Sequence, residues 1–506
     1  MPEGGSISGP DAAAGNAPTA GSLPADKRTT GEGAKTPPPE LTAPVETPPK
    51  SPVPTVGEES PAAPMPADRN RPAVESSGAQ PPVPAAASGA KSGPGAAAPD
   101  ATGAPTLVAA EAVGSLATDV ELLLRLDRKN ISETNPASQA WQRVSSREFL
   151  YPGDELVVLP TFRTNVVLSS GGGVKAQILG GAALTLEAPD EQGVPGIRIT
   201  EGRLIMMPTG KPGSQVRLLA GQLQGALVFG DTDATAAIEV RRGLPDGADP
   251  ATVPAQVTVD LYVPAGVVTW VSATGVPATG VPAAGGTEDT VKAPGRRTLT
   301  TAAQRFEPVA AAAKDFPEWI SGVGPGAAEK RTADEVEKEL EIGKPVHLRL
   351  KEIAFRDRRV EFKSLAARCL FQLGDFETFL PLLSDPNQKS YWTTQIEAVR
   401  ASMARSPKTA AELEKVIASQ RDLKTAEELY RMLWGYSREE LRKVAAARLV
   451  DELDHQDLDV RVLSFWNLYH VTGFTLNYRP QDVQAKRQQS VRAWKQKLDG
   501  DLIVPR

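Results

Sequence analysis

Few side chains here could carry covalent chemistry. The 506 residues include three histidines, His347, His455 and His470, and one cysteine, Cys369. A hydrolytic triad needs a nucleophile held against a histidine that a carboxylate orients. No G-x-S-x-G turn is present to expose a serine. His470 lies in WNLYHVTG, four residues after Trp466, which places it on a packed helical face. His347 follows Pro345 in a turn and is expected to be exposed. A lone cysteine forms neither an internal disulfide nor a cysteine-based zinc site. In LAARCLFQL, Cys369 reads as a small buried hydrophobe.

Oxygen ligands are concentrated in DELDHQDLD, which carries Asp451, Glu452, Asp454, His455, Asp457 and Asp459. Such groups can hold Ca²⁺ or Mg²⁺, but the central glycine and terminal glutamate of an EF-hand loop are missing. Acidic residues between helices also fit the N-terminal end of the next helix dipole. SGVGPGAAEK follows no strand and places Pro325 where a phosphate cradle needs a backbone N–H. We therefore expect no catalytic residues, no cofactor and no metal. The remaining chemistry is aromatic: Phe465, Trp466, Tyr469, Tyr478 and Trp494 cluster near the C-terminus. They read as the core of the last helix pair or, where exposed, as a partner interface.

The elements that must position these residues follow from composition and period. Residues 1–105 form a proline-, alanine- and glycine-rich tail; 21 of the 45 prolines fall within the first hundred residues, and no aromatic residue precedes Trp141. Such a segment buries too little apolar surface to offset the entropy of ordering, so it is expected to be disordered. TPPPE and PPVPAAA favour extended polyproline segments.

Residues 106–308 show period-2 alternation in short runs separated by turns, as in TFRTNVVLSS, VKAQIL, ALTLEA, QVRLLAG and QVTVDLYV. About a dozen strands of this kind predict an all-β sandwich or open roll. ELLLRLDRKN reads as an edge strand, ETNPASQAWQRV as a loop or short helix carrying Trp141, and ATGVPATGVPAAGGTEDT as a mobile loop. Residues 309–325 are a connector that could pin Trp319 against either domain. From 326 to 506 the period becomes helical, with stops at Gly374, Gly435 and Gly473 and starts at Asp375 and Ser437. Ser437 and Glu440 have the spacing of a capping box.

Two resemblances rest on these residues. Trp141 in QAWQRV, the Gly153-Asp154 turn of LYPGDELVVLP, NVVLSSGGGVKAQIL, LTLEAP and a strand pair around Gly202 in IRITEGRLIM follow one another in that order. In this order of features, about 113–240 resembles the FecR-type β domain found outside the membrane in bacterial sigma-factor regulators and in uncharacterised bacterial FecR-domain proteins. Aligned on Gly374, Asp454 and Gly473, three helices place Ala366-Ala367, Ala446-Ala447 and Phe465-Trp466 at equivalent positions, with Leu370, Val450 and Tyr469 one turn later. Small residues against large ones let helices stack closely, and the C-terminal region resembles a HEAT-like solenoid, with a compact α-bundle as the alternative.

The fold class expected is thus multidomain α+β. Net charge is −6, with +2 over 309–506 (32 basic against 30 acidic residues) and −4 in each of the other two regions. That balance does not favour nucleic-acid binding. MPEGGSISGPDAAAG lacks a basic start and an apolar stretch, so it does not read as a signal peptide. LYVPAGVVTWVSATGVPATGVPAAGG, the longest uncharged run, is broken by prolines and glycines and does not read as a membrane helix. The chain reads as soluble and cytoplasmic on that basis, or as periplasmic or envelope-tethered if an N-terminal extension is missing. The function expected is a non-enzymatic scaffold or protein-binding protein, within an envelope-associated or regulatory assembly, with a protein partner and an oligomeric state the sequence leaves open. The alternatives are FecR-type signalling with a sigma factor and a hydrolase on the β domain.

Overall fold

The computed structural model describes residues 111–117, 122–131, 139–272, 288–300, 306–310, 312–500 and 502–503. The proline-rich tail and residues 273–287, most of the loop expected to be mobile, lie outside them. Strands occupy Gly114 to Val309, and α-helices begin at Ala327.

The strands are β1 (Gly114–Leu116), β2 (Leu124–Leu126), β3 (Trp141–Arg143), β4 (Phe149–Leu150), β5 (Glu155–Val158) and β6 (Arg163–Leu168). There follow β7 (Val174–Leu179), β8 (Ala182–Glu187), β9 (Gly196–Pro208), β10 (Gln215–Ala220), β11 (Leu223–Phe229) and β12 (Thr235–Gly243). β13 (Gln256–Ala265), β14 (Val267–Ser272), β15 (Glu288–Lys292), β16 (Gly295–Thr300) and β17 (Glu307–Val309) complete the set. One sheet runs β4-β1-β6-β7-β9-β12-β13-β16-β17. The other runs β3-β2-β5-β8-β9-β10-β11-β14-β15. Among the described strands, every pairing is antiparallel except that of β9 with β10.

Alternation sets which face is buried. In β7, Val174, Ala176 and Ile178 point inward, and in β8 Ala182, Leu184 and Leu186 do so. These buried faces belong to one hydrophobic core. The two sheets share β9, whose first half pairs with β8 and whose second half pairs with β7 and β12. The expected strand pair around Gly202 is therefore one 13-residue strand that changes sheet at that glycine. Gly202 has φ +111°, and a Cβ there would overlap the Ala182 backbone. The same corner recurs between β13 and β14, where Gly266 has φ +66° and its Cβ would lie 2.6 Å from Ala234 Cα. Only glycine lets two bent strands cross this closely.

Two local expectations change, and one open alternative is resolved. β2 is not an edge strand, because β3 lies outside it. Trp141 starts β3 rather than sitting in a loop or helix. The connector is pinned to the β side, where Phe316 and Trp319 pack edge-on against Tyr262 at ring distances of 5.6 and 6.1 Å.

The helices are α1 (Ala327–Glu339), α2 (Val346–Arg356), α3 (Val360–Leu373), α4 (Phe379–Leu383), α5 (Trp392–Met403), α6 (Pro407–Gln420) and α7 (Leu423–Leu433). α8 (Arg438–Glu440) continues through a π-turn at Leu441–Ala445 into α9 (Ala446–Glu452), before α10 (Leu458–Thr472) and α11 (Gln484–Asp499). Ser437 and Glu440 form the capping box. Gly374 and Gly473 end α3 and α10 in the left-handed conformation. Asp375 does not cap α4 directly; it accepts from the Glu377 N–H and pairs with Lys351 at 2.8 Å.

α10 packs against α4, α5, α7 and α9. It is apolar on almost every side, as a helix enclosed by others must be. Its polar residues are satisfied internally: Asp459 pairs with Arg421, Arg461 donates to Pro480 O at 2.8 Å, and Asn467 donates to Met432 O at 3.0 Å. Strand and helical regions fall in one compact unit. Arg143 donates to Glu337 O and Leu340 O at 3.1 Å, Gln372 donates to Gly181 O at 3.2 Å, and Arg405 pairs with Glu201. Among the described residues, no helix is long and apolar enough to cross a membrane.

Candidate functional site

The residues with chemical potential are dispersed. His347 is buried in α2, a correction to the exposed turn expected; Pro345 is the residue just before the helix. Burial, with Lys351 nearby, holds its imidazole below the usual histidine range. His470 is exposed and stacks on Trp466 at 5.0 Å, a correction to the packed position expected. It lies at the end of α10, where the helix emerges before Gly473. Cys369 is fully buried, which pushes its thiol up to about 12 and leaves it protonated at neutral pH. The carboxylates of DELDHQDLD diverge: Asp451 pairs with Lys495, Asp454 with Arg487 and Asp459 with Arg421.

The aromatic cluster divides. Trp494 is 0 % exposed and lies in the core, away from any surface. Phe465, Trp466, Tyr469 and Tyr478 line one groove of about 520 Å³, together with Trp392, which sequence reasoning missed. The groove is built by α5, α10 and the segment after Gly473. Left-handed backbone at Leu476 and Asn477 turns that segment back, so Tyr478 packs on Phe465 at 5.1 Å. The Tyr478 hydroxyl donates to Leu453 O, and burial raises its pKa above the usual tyrosine value. The Trp392 indole N–H donates to Leu382 O at 3.1 Å. Both polar ends are thus engaged inside the protein, and the rings face the groove.

Trp466 is 7 % exposed, stacks with His470 and has the Arg400 guanidinium 4.9 Å from its ring. Tyr469 is 49 % exposed, and Phe465 is half-buried. The rim carries Lys389 and Arg479, both exposed and neither in an ion pair among the described residues. Among the described residues, no carboxylate lines the groove. The sequence signal for Trp392 was the Tyr-Trp pair opening α5, but its distance from Phe465 along the chain hid the contact. An aromatic floor with cations on its edge suits an apolar segment that brings acidic groups. No family model matches the chain, and no curated protein matches it.

Proposed function

We propose that this protein is a non-enzymatic scaffold that captures a partner protein in the groove between α5 and α10. The observation that carries the reading is the coincidence, among the described residues, of an aromatic floor with two cations that have no ion-pair partner and with no lining carboxylate. Exposed aromatic anchors are the usual source of binding energy at protein interfaces. The partner supplies a short apolar segment flanked by glutamate or aspartate. The β region serves as a platform. Its order of turns supports a FecR-like reading, and the layout of strands followed by helices is compatible with it. The small-residue positions of the helical region support a HEAT-like reading in the same way.

The test uses fluorescein-labelled decapeptides of leucine and proline flanked by glutamate, with lysine-flanked counterparts as controls. The glutamate peptides should bind the full chain, and Tyr469→Ala should weaken them about tenfold with little change in melting temperature. If no glutamate peptide binds, or if binding survives Tyr469→Ala unchanged, the groove is not the docking site.

A further inference from the structure

A second cleft, of about 390 Å³, opens where the corner at Gly202 meets α3 and α5. Five arginines line it, Arg203, Arg241, Arg242, Arg368 and Arg405, against two glutamates, Glu201 and Glu239. Both glutamates are committed. Glu201 holds Arg405, whose remaining donors go to Gln372. Glu239 accepts from Arg203 at 2.8 Å and lies 3.8 Å from Arg241, which also pairs with the buried Asp260.

Among the described residues, two guanidinium groups are left without a carboxylate. Arg242, on the β side, donates its Nε–H to Thr200 O at 2.7 Å and makes no ion pair among the described residues. Arg368, on the helical side, has a buried Nε–H with no acceptor among the described residues. Arg368 also borders a separate neighbouring cavity lined by Glu329, Glu335 and Glu361. Glu335 there pairs with Arg359, and no ion pair to Arg368 is formed among the described residues. A buried donor without an acceptor destabilises the fold unless something else supplies the acceptor. Water could satisfy one N–H, but it would not neutralise two cations lining one cleft.

We propose that this cleft binds a small phosphate-bearing molecule, with Arg368 and Arg242 as its guanidinium forks. A phosphoryl group offers three acceptor oxygens and up to two negative charges, enough to serve forks from both walls. A single carboxylate can bridge two arginines, as Asp260 does with Arg241 and Arg296, but it carries only one charge against two cations. The volume lies at the small end of ligand sites, which fits a compact anion and not a nucleic-acid strand.

The test is isothermal titration of the full chain with inorganic phosphate, pyrophosphate and citrate at constant ionic strength, with melting temperature followed in parallel. Pyrophosphate should bind saturably and raise the melting temperature. Arg368→Gln should weaken it about tenfold or more. Without ligand, that variant should melt no lower than the parent, because it removes an unsatisfied buried donor. Arg242→Gln should also weaken binding, and it provides the test if Arg368→Gln does not fold. The proposal is overturned if neither phosphate nor pyrophosphate binds, or if the variants bind as the parent does. Citrate binding as tightly as pyrophosphate would overturn the phosphoryl assignment.

Discussion

The aromatic groove and the arginine cleft share a wall. α5 turns Trp392, Thr393 and Ile396 toward the groove and Ala398, Ala401 and Ser402 toward the cleft. In the groove, the polar ends of Trp392 and Tyr478 are satisfied internally, and apolar ring faces are left over. In the cleft, the carboxylates are used up within the fold, and cationic donors are left over. What each site leaves unsatisfied differs, so the two should respond to different substitutions and ligands.

The largest expected effect separates structural aromatics from groove aromatics. Trp494→Ala empties a fully buried site and should lower unfolding free energy by about 3–5 kcal/mol in urea titration. Tyr469→Ala should change it by less than about 1 kcal/mol. Similar losses for both would mean that Tyr469 is core, not groove wall.

Next in size is the ion pair beside the cleft. Arg405 and Glu201 are 14 % and 11 % exposed at their side chains. Breaking a fully buried pair costs about 3–5 kcal/mol, so partial exposure reduces the expected loss for Glu201→Ala to about 2–3 kcal/mol. A negligible loss would show that the strand and helical regions do not depend on this contact.

Smaller effects depend on pH. The folded pKa of His347 lies below its ordinary value of 6.5, chiefly because of burial. Its neutral form therefore supports the fold above pH 6.5, and that support is lost as pH falls through the folded pKa. Stability should drop more steeply below that pH in the parent than in His347→Gln. Asp260 acts at lower pH. Burial raises its pKa, but hydrogen bonds from Thr298, Arg296 and Arg241 outweigh that and hold it below 3.8. Its contribution is present above that pH and is lost as pH falls further, so Asp260→Asn should flatten this acid limb of the stability curve.

These residues also show what was legible in the sequence. Alternation in VKAQIL and ALTLEA marks β7 and β8 directly, because period 2 reflects a one-sided core. Alternation cannot show where a strand changes sheet, so β9 looked like two strands: the first half alternates, the second buries Leu204, Ile205 and Met206 in succession, and the backbone bends at Gly202. Pro345 looked like part of a turn, although the residue before a helix adopts the same extended backbone, and His347 was therefore misplaced. Four groove residues lie within fourteen positions of one another and could be found as a cluster. Trp392 joins them only through the packing of α5 on α10, and that long-range contact leaves no local pattern. Trp494 belongs to the same stretch of sequence, but α11 turns it into the core. Arg368 and Arg242 lie on different elements and become neighbours of one cleft only on folding.

The most direct test of the groove reading reverses its rim charge. Binding of the glutamate- and lysine-flanked peptides should be measured by fluorescence anisotropy for the parent and for Lys389→Glu/Arg479→Glu. The account predicts that the parent favours glutamate flanks and that the double variant loses or inverts this preference, by about tenfold in affinity, while melting as the parent does. An unchanged preference in the double variant would contradict it.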